Sequence, residues 1–381
     1  MKKASALLLA ALLAMSALSG CASSGSSDVI TIGVFEPLTG DNAAGGELEV
    51  AGIELANELY PEVLGKKVVL VKVDNKSDKA EAATAAARLV EQNKVQAIIG
   101  SWGSSLSMAA GNIVMDAKIP AVGASCTNPL VTLNNDYYFR VCFIDPFQGT
   151  VMANYATSKL GAKTAAIIQE VSNDYSVGLA SFFEDSFTKT TGDASSIVEK
   201  GNYQTGDKDF TAILTNIKQK NPDVIFAPGN FTESALIIKQ ARQLGITTPF
   251  LGGDTWETPD FLSVGGAEVE GAVFSTFFDK AMVTTSEATK FLAEFEKKNP
   301  GVEPAAVTAL GYDAYILILD AIKRANSTDG PAIRDALAST SGFQAVTGST
   351  TLDANGDAVK DAVIKSVTGG KFTYLDYVKA Q

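Results

Sequence analysis

Three short polar segments of this sequence carry groups suited to holding a small polar ligand. The first is Gly100-Ser101-Trp102-Gly103-Ser104-Ser105, where the N–H groups of a helix start would attract a carboxylate. The second is Ala124-Ser125-Cys126-Thr127-Asn128-Pro129, which gathers hydroxyls and an amide that could hold a polar group. The third is Gly253-Asp254-Thr255-Trp256, where a carboxylate beside an aromatic ring suits an ammonium group.

Each of these segments also has a purely structural interpretation. Ser104 or Ser105 can cap the helix that follows, and Asp254 can cap the next turn. The hydroxyls of the second segment are common capping groups as well. Taken one at a time, the three segments leave binding and capping equally open.

The three segments follow predicted strands in a chain that alternates strands and helices. The first unit has predicted strands at Val29–Phe35, Lys67–Val73, Val95–Ile99 and Pro120–Gly123, and helices at Gly45–Leu59, Asp78–Gln92 and Ser104–Ala117. The pattern then restarts, with strands at Tyr137–Phe143, Thr164–Gln169, Ser195–Gly201, Val224–Pro228 and Pro249–Gly252 between helices at Pro146–Leu160, Tyr175–Thr190, Lys208–Lys220 and Thr232–Leu244. This order predicts parallel sheets, whose ligands bind beyond the carboxyl ends of the strands.

The fold class predicted is α/β, with two doubly wound parallel-sheet lobes joined by three hinge crossovers. The chain of 381 residues exceeds the roughly 250–300 residues that one core can serve. Helices at Glu287–Lys298 and Ala305–Ala325 are expected to return to the first lobe, and antiparallel strands at Thr350–Leu352, Ala362–Val367 and Phe372–Tyr377 to end the chain. We expect lobe 1 to comprise residues 29–145 with 277–350, and lobe 2 residues 146–276 with 351–381.

Composition argues against catalysis and against nucleic-acid binding. The chain has no His, which removes the commonest general base, the Ser-His-Asp arrangement and imidazole metal ligands. It also lacks a phosphate loop, a dinucleotide fingerprint and the HExxH, CxxC and Gly-x-Ser-x-Gly patterns. A formal net charge of −12 repels phosphate backbones. We therefore expect no enzyme, no cofactor, no metal site and no nucleic-acid partner.

The first 21 residues predict export and anchoring. Lys2 and Lys3 precede an apolar run that ends in Leu18-Ser19-Gly20-Cys21, typical of a signal peptide at residues 1–20. A Cys after small residues resembles the bacterial lipobox, in which the thiol is acylated. Residues 21–28, rich in Ser and Gly, would form a flexible tether. The expected location is extracytoplasmic, with a lipid on Cys21 holding the chain to the cell membrane; a plain secretory signal with an incidental Cys is the alternative.

The two remaining cysteines leave their pairing open. Cys126 and Cys142 could form a disulfide in an exported chain, or could be two separate buried thiols.

In its order along the chain, the sequence resembles the branched-chain amino acid binding proteins of ABC importers, which have the type I periplasmic-binding-protein fold. The resemblance covers essentially Val29–Gln381. The stretches that carry it are Ile32-Gly33-Val34 through Pro37-Leu38-Thr39-Gly40, Ile98-Ile99-Gly100 through Ser104-Ser105, Ile119-Pro120 through Asn128-Pro129, Tyr138-Phe139-Arg140-Val141 with Asp145, Gln148 and Gly149, Asp207-Lys208-Asp209-Phe210, Gln240 through Gly245, and Gly311-Tyr312-Asp313-Ala314.

The resemblance implies a binding site for an amino acid. Ser104 and Thr127 would hold the ligand carboxylate, while the carbonyl of Ser125 and the carboxylate of Asp254 would take its ammonium. Tyr175 matches a second-lobe tyrosine that closes over the ligand.

Two loops depart from the family pattern. Asp41–Gly46 lacks the aromatic residue often found there, so Trp102 would supply the missing apolar wall or favour a smaller ligand. The loop containing Asn230 lacks a clear counterpart of another family tyrosine. These departures leave open which side chain the site accepts.

The resemblance also implies a mechanism and partners. The protein would act as a monomer, capture an amino acid, branched-chain or small apolar, and deliver it to ABC transporter permease subunits. Its lobes would close about hinges near Ile144–Phe147, Ser275–Asp279 and Gly348–Asp353. The alternative is a sensor of the same fold that recognises an amino acid derivative, an amide or a short peptide.

Overall fold

The computed structural model describes residues 29–380. Its strands are β1 Val29–Glu36, β2 Glu62–Val63, β3 Lys66–Asp74, β4 Ala97–Ile99, β5 Ala121–Gly123, β6 Tyr138–Arg140, β7 Ala165–Glu170, β8 Ile197–Tyr203, β9 Val224–Phe226, β10 Phe250–Gly252, β11 Val273–Thr276, β12 Phe343–Ala345, β13 Gly348–Thr350, β14 Ala362–Thr368 and β15 Lys371–Val378. Its α-helices are Ala43–Leu59, Lys79–Glu91, Ser104–Ala117, Asp145–Asn154, Asp174–Thr191, Thr211–Lys220, Phe231–Gln243, Pro259–Gly265, Ser286–Lys298, Ala306–Ala325 and Gly330–Ala338.

The strands form two large sheets, one in each lobe, and the predicted two-lobed α/β fold is confirmed. The first sheet has the order β2-β3-β1-β4-β5-β6 and is parallel except for the β2–β3 pair. The second has the order β15-β14-β11-β10-β9-β7-β8 and is parallel except for β14, which is antiparallel to both of its neighbours, β11 and β15. Both sheets are covered by helices, which explains why strands such as β4, β5 and β9 are buried along their whole length.

Side-chain caps set the starts of two helices. Asp78 caps the helix Lys79–Glu91, where its carboxylate accepts hydrogen bonds from the N–H groups of Ala80 and Glu81 at 2.8 and 2.9 Å. Asn173 caps Asp174–Thr191 in the same way. These caps fix where the helices begin, and hence where the loops at the strand ends stop.

The chain passes between the two sheets three times. It leaves the first sheet after β6, leaves the second after β11, and returns to the second at β14. Between the last two passages the helix Ala306–Ala325 packs against Ala43–Leu59 on the first sheet. The segments that connect the lobes are therefore residues 141–164, 277–285 and 351–361.

Two strand predictions differ from the structure. Tyr137–Phe143 was expected to open the second unit, but Tyr138–Arg140 pairs with β5 at the edge of the first sheet. A strand was expected at Thr350–Leu352 among the last strands of the chain. Instead, Gly348–Thr350 pairs with Phe343–Ala345 in a separate two-stranded hairpin. Gly348 has a φ of 101°, which permits the tight turn of that hairpin.

Cys126 and Cys142 are free and buried, so the disulfide alternative is not realised in this structure. Burial raises the pKa of the Cys126 thiol to about 11, which keeps it protonated and unreactive at neutral pH. The predicted signal peptide, Cys21 and the tether lie outside the described residues. Within residues 29–380, no helix has both the length and the apolar character needed to cross a membrane.

Close packing of Ala43–Leu59 on Ala306–Ala325 depends on glycine. A Cβ on Gly52 would lie 1.9 Å from the backbone oxygen of Thr308, and a Cβ on Gly311 would lie 2.3 Å from that of Glu49. Both contacts are with backbone, which cannot move away as a flexible side chain could. These glycines therefore let the helix that carries Glu49 approach its neighbour.

We predict that Gly52→Ala lowers the free energy of unfolding by about 2 kcal/mol, because the new methyl group forces the two helices apart. Urea denaturation followed by circular dichroism would measure this change. Ala51→Ser, on the exposed side of the same helix, is the matched control and should stay within about 0.5 kcal/mol of wild type. Equal stability of the two variants would contradict the packing argument.

Candidate functional site

The loops at the carboxyl ends of both sheets meet around a single cavity of about 70 Å³. First-lobe walls follow β1, β3, β4 and β5, and second-lobe walls follow β7, β8, β9 and β10. Six of the residues predicted from the sequence line this cavity: Trp102, Ser104, Ser125, Tyr175, Asn230 and Asp254. The fold therefore brings together side chains that are up to 152 positions apart, from Trp102 to Asp254, as expected for parallel sheets.

Trp102 forms an apolar wall and is held in place at both its backbone and its ring. Its N–H donates to the carboxylate of Glu36 at 2.6 Å. The indole occupies the space above Gly45, where a Cβ would lie 2.4 Å from the ring. On the other side, Phe231 of the second lobe meets it edge to face at 6.0 Å. Gly45, in the first turn of the helix Ala43–Leu59, thus makes room for this ring.

Ser104 connects the two first-lobe loops. It is the first residue of the helix Ser104–Ala117, and its Oγ accepts a hydrogen bond from the N–H of Asn128 at 3.0 Å. Thr127, the residue before Asn128, is fully buried and is not among the residues that line the cavity. Its hydroxyl lies beside the carboxylate of Asp145. The role predicted for Thr127 at the ligand carboxylate remains a prediction.

Asp254 is the second lobe's charged group in the cavity. Its Oδ1 accepts hydrogen bonds from Gln148 Nε2 at 2.8 Å and from the Tyr175 hydroxyl at 3.0 Å. Burial raises the pKa of the Asp254 carboxyl to about 6, against the lowering by these two donors. A Cβ on Gly253 would lie 2.2 Å from the Tyr175 hydroxyl, so glycine at this position allows the Tyr175–Asp254 contact.

Two buried glutamates behind Ser125 were missed by the sequence analysis. Ser125 Oγ donates to the carboxylate of Glu49, which lies on the helix Ala43–Leu59. Burial raises the pKa of Glu49 to about 8 and raises that of the neighbouring Glu36 well above its usual range. A carboxylate on the otherwise apolar face of that helix was the signal that could have revealed Glu49.

The two lobes touch each other directly around the cavity. Asp174 of the second lobe accepts hydrogen bonds at its carboxylate from Lys79 Nζ and Ser105 Oγ, each at 2.8 Å. Asn230 Nδ2 donates to Asn42 Oδ1 at 2.8 Å. Contacts across the cleft of this kind exist only when the lobes are closed, so the structure represents a closed form. Asn230 thereby joins the lobes as well as lining the cavity.

This arrangement can bind a small polar molecule with charge at both ends. One end of the cavity offers the buried carboxylate of Asp254, and the facing first-lobe loop offers the neutral hydroxyl of Ser104. Within residues 29–380, no cluster of three or more His, Cys, Asp or Glu side chains is arranged to hold a metal ion. The groups present can bind and orient a small ligand, and Asp254 and Glu49 act through charge and hydrogen bonding.

Comparison with known proteins identifies the family. The model of the family described as "Periplasmic binding protein" matches residues 29–371. A curated relative from Pseudomonas aeruginosa named "Amino acid binding protein" is 30% identical over 361 residues, which cover 92% of this chain and 93% of the relative.

Two solved structures are similar along almost their whole length. A leucine-binding protein of Thermotoga maritima is 42% identical with a TM-score of 0.89, covering 92% of this chain and 99% of that one. A branched-chain amino acid transporter substrate-binding protein of Streptococcus pneumoniae, solved in complex with isoleucine, is 34% identical with a TM-score of 0.86 and the same coverage.

The raised pKa of Glu49 predicts a specific pH dependence of stability. Between the ordinary pKa of 4.5 and the folded-state value of about 8, the folded protein holds more protons than the unfolded chain. The contribution of Glu49 to stability is therefore lost as the pH rises through this window. Glu49→Gln, which keeps an acceptor for Ser125, should be more stable than wild type at about pH 8.5 by on the order of 3 kcal/mol.

Urea denaturation at about pH 5 and about pH 8.5 would measure this difference. At the lower pH the stability difference between variant and wild type should be small, because Glu49 is then protonated in the folded protein. Glu47→Gln, on the exposed side of the same helix, is the matched control. Its free energy of unfolding should equal that of wild type at both pH values. If Glu49→Gln and wild type have the same free energy of unfolding at the higher pH, burial of the ionised Glu49 carboxylate does not destabilise the fold.

Proposed function

Because this chain belongs to the periplasmic binding protein family, we propose that it captures a branched-chain or small apolar amino acid and delivers it to an ABC transporter permease. The protein is a solute-binding protein of ABC transport and not an enzyme, which agrees with the expectation drawn from its lack of His. The family acts outside the cytoplasm.

The buried carboxylate of Asp254 is the observation that carries the proposal. It lies at the cavity wall with two neutral hydrogen-bond donors and no cationic side chain among its bonding partners in the described chain. A buried carboxylate is costly unless a positive group pairs with it. The α-ammonium of an amino acid would supply that group, with the carbonyl of Ser125 as a second acceptor. Ser104 and Thr127 would hold the carboxylate at the other end of the ligand.

The remaining walls support a modest apolar side chain. Trp102, Leu106 and the Tyr175 ring line the cavity beside the polar groups. The cavity of about 70 Å³ is small, which favours a compact ligand. Leucine and isoleucine are the ligands named for the two solved relatives.

The transport cycle we propose uses the two lobes as rigid bodies. Residues 29–145 with 277–350 would receive the ligand first, and residues 146–276 with 351–381 would close over it. The contacts of Asp174 and Asn230 across the cleft would then stabilise the closed form for docking on the permease. A lipid on Cys21 would keep the monomeric carrier close to that permease.

A thermal-shift screen of ligand-stripped protein against the proteinogenic amino acids tests the function. Leucine, isoleucine or valine should raise the melting temperature, because a ligand that binds only the folded protein stabilises it. Aspartate and lysine should raise the melting temperature less, because their second charge would enter the apolar part of the cavity. A screen in which no amino acid shifts the melting temperature would contradict the proposal.

We predict that Asp254→Asn weakens binding of the best amino acid by about 2–5 kcal/mol, because the buried ammonium loses its charged partner. Isothermal titration calorimetry would measure the affinity. Asp260→Asn, an exposed substitution in the helix Pro259–Gly265, is the matched control and should bind as wild type does. Unchanged affinity in Asp254→Asn would remove this residue from the site.

Binding should also weaken in acid. In the closed form burial raises the pKa of Asp254 to about 6, so below that pH a proton competes with the ammonium for the carboxylate. We predict an affinity about tenfold lower at about pH 5 than at about pH 7. Calorimetric titrations across this range would show the loss, and a flat profile would show that binding does not require ionised Asp254.

A further inference from the structure

We propose that one short segment, Arg140–Gln148, positions both halves of the ligand site from the first crossover between the lobes. Gln148 aims the carboxylate of Asp254 in the second lobe, and Arg140 shapes the loop around Thr127 in the first. Both are positioning residues that act through their neighbours. The inference rests on the proposed function in assigning Asp254 and Thr127 to the two ends of an amino acid.

Gln148 holds Asp254 through a buried amide. Its Nε2 donates to Asp254 Oδ1 at 2.8 Å and to the hydroxyl oxygen of Ser275 at 3.0 Å. The side chain is fully buried, so water cannot replace either bond. Ser275 lies on β11, which is the neighbour of β10 in the second sheet. The Asp254 loop follows β10. The amide therefore fixes the carboxylate relative to the second-lobe sheet.

Arg140 holds the first-lobe loop through its guanidinium. Nη1 donates to the carbonyl oxygens of Cys126 and Asn128, the second at 2.9 Å, so the bonds fall on both sides of Thr127. Nη2 donates to Thr132 Oγ1 at 2.8 Å, and Nε pairs with Asp357 at 2.7 Å. A planar guanidinium can satisfy all these acceptors at once, whereas an ammonium cannot.

The backbone of the crossover completes the connection. The N–H of Asp145 donates to the carbonyl oxygen of Thr127 at 3.0 Å. Thr127 is thus held by the segment directly, and its neighbours are held by Arg140. Asp145 opens the helix Asp145–Asn154, which also carries Gln148 and packs against the helix of Tyr175. Within nine residues the chain reaches both ends of the site.

This arrangement would keep each half of the site assembled while the lobes are apart. Arg140 and the Thr127 loop belong to the first sheet, whereas Gln148, Ser275 and Asp254 belong to the second lobe. A rotation about the residues between them would separate the two halves. The Gln148 bonds would stay within the second lobe, and the Arg140 bonds to Cys126, Asn128 and Thr132 within the first. Preassembled groups lose less entropy when the ligand binds, which raises affinity.

The first test measures the pKa of Asp254 in ligand-free protein by carbon-13 NMR of labelled aspartate. Gln148→Met keeps the side-chain length and removes the donor, so the pKa of Asp254 should rise by about one unit or more. The other titrating groups that influence Asp254, namely Tyr175, Glu257, Asp145 and Glu49, are unchanged in this variant. Gln169→Met, whose amide bonds to Asn202 on the second sheet, is the matched control.

The second test compares L-leucine with 4-methylpentanoate, which is leucine without its ammonium. Gln148→Met should weaken leucine binding at least tenfold and change 4-methylpentanoate binding less than twofold, because only leucine uses Asp254. Arg140→Lys should weaken the binding of both ligands, since both carry the carboxylate. If circular dichroism shows that Arg140→Lys is unfolded, Asp357→Asn takes its place, with the same loss expected for both ligands.

The outcomes separate this inference from the proposed function. An unchanged pKa of Asp254 together with wild-type leucine affinity in Gln148→Met would overturn the positioning role. Equal weakening of both ligands by Gln148→Met would indicate a general structural role and would also overturn it. If wild-type protein binds no leucine, the proposed function loses its branched-chain ligand, while the pKa measurement still decides whether Gln148 positions Asp254.

Discussion

The structure is organised around a buried carboxylate that has no cationic partner within residues 29–380. Asp254 is 3% exposed, and its hydrogen bonds come from an amide and a phenol, which stabilise a negative charge without neutralising it. Burial therefore raises the pKa of Asp254 to about 6. A site of this kind is stable enough to fold and still gains free energy when a cation arrives. The two-lobed fold provides the closure that shields this pairing from water.

Closure depends on polar contacts between the lobes that are individually weak. The ion pair of Lys79 with Asp174 is half exposed, and pairs of this type contribute about 0–1 kcal/mol. The amide contact of Asn230 with Asn42 is similarly modest. Weak contacts suit a protein that must open again to release its ligand. The ligand itself, bound by both lobes, would then supply the larger part of the preference for the closed form.

The sequence allowed the fold and most of the cavity to be predicted, because both follow from order along the chain. Polar loops after parallel strands necessarily meet at the carboxyl edge, so Ser104, Ser125 and Asp254 could be placed together before any coordinates. Glu36 and Gln148 could not, since they act through contacts between distant segments that no local pattern encodes. The hairpin at Phe343–Thr350 was missed because short strands give almost no periodic signal.

The polarity of the side chains around the cavity would, taken alone, give a wrong picture of the ligand. Most side chains around the cavity are polar, yet many of them already bond to protein: Asn42 to Asn230, Ser105 to Asp174, and Ser125 to Glu49. A group whose hydrogen bonds are satisfied by the protein offers little to a ligand and costs little to leave beside an apolar side chain. What distinguishes one ligand from another is then the uncompensated charge of Asp254 and the shape left by Trp102. A zwitterion with a compact apolar side chain meets both conditions.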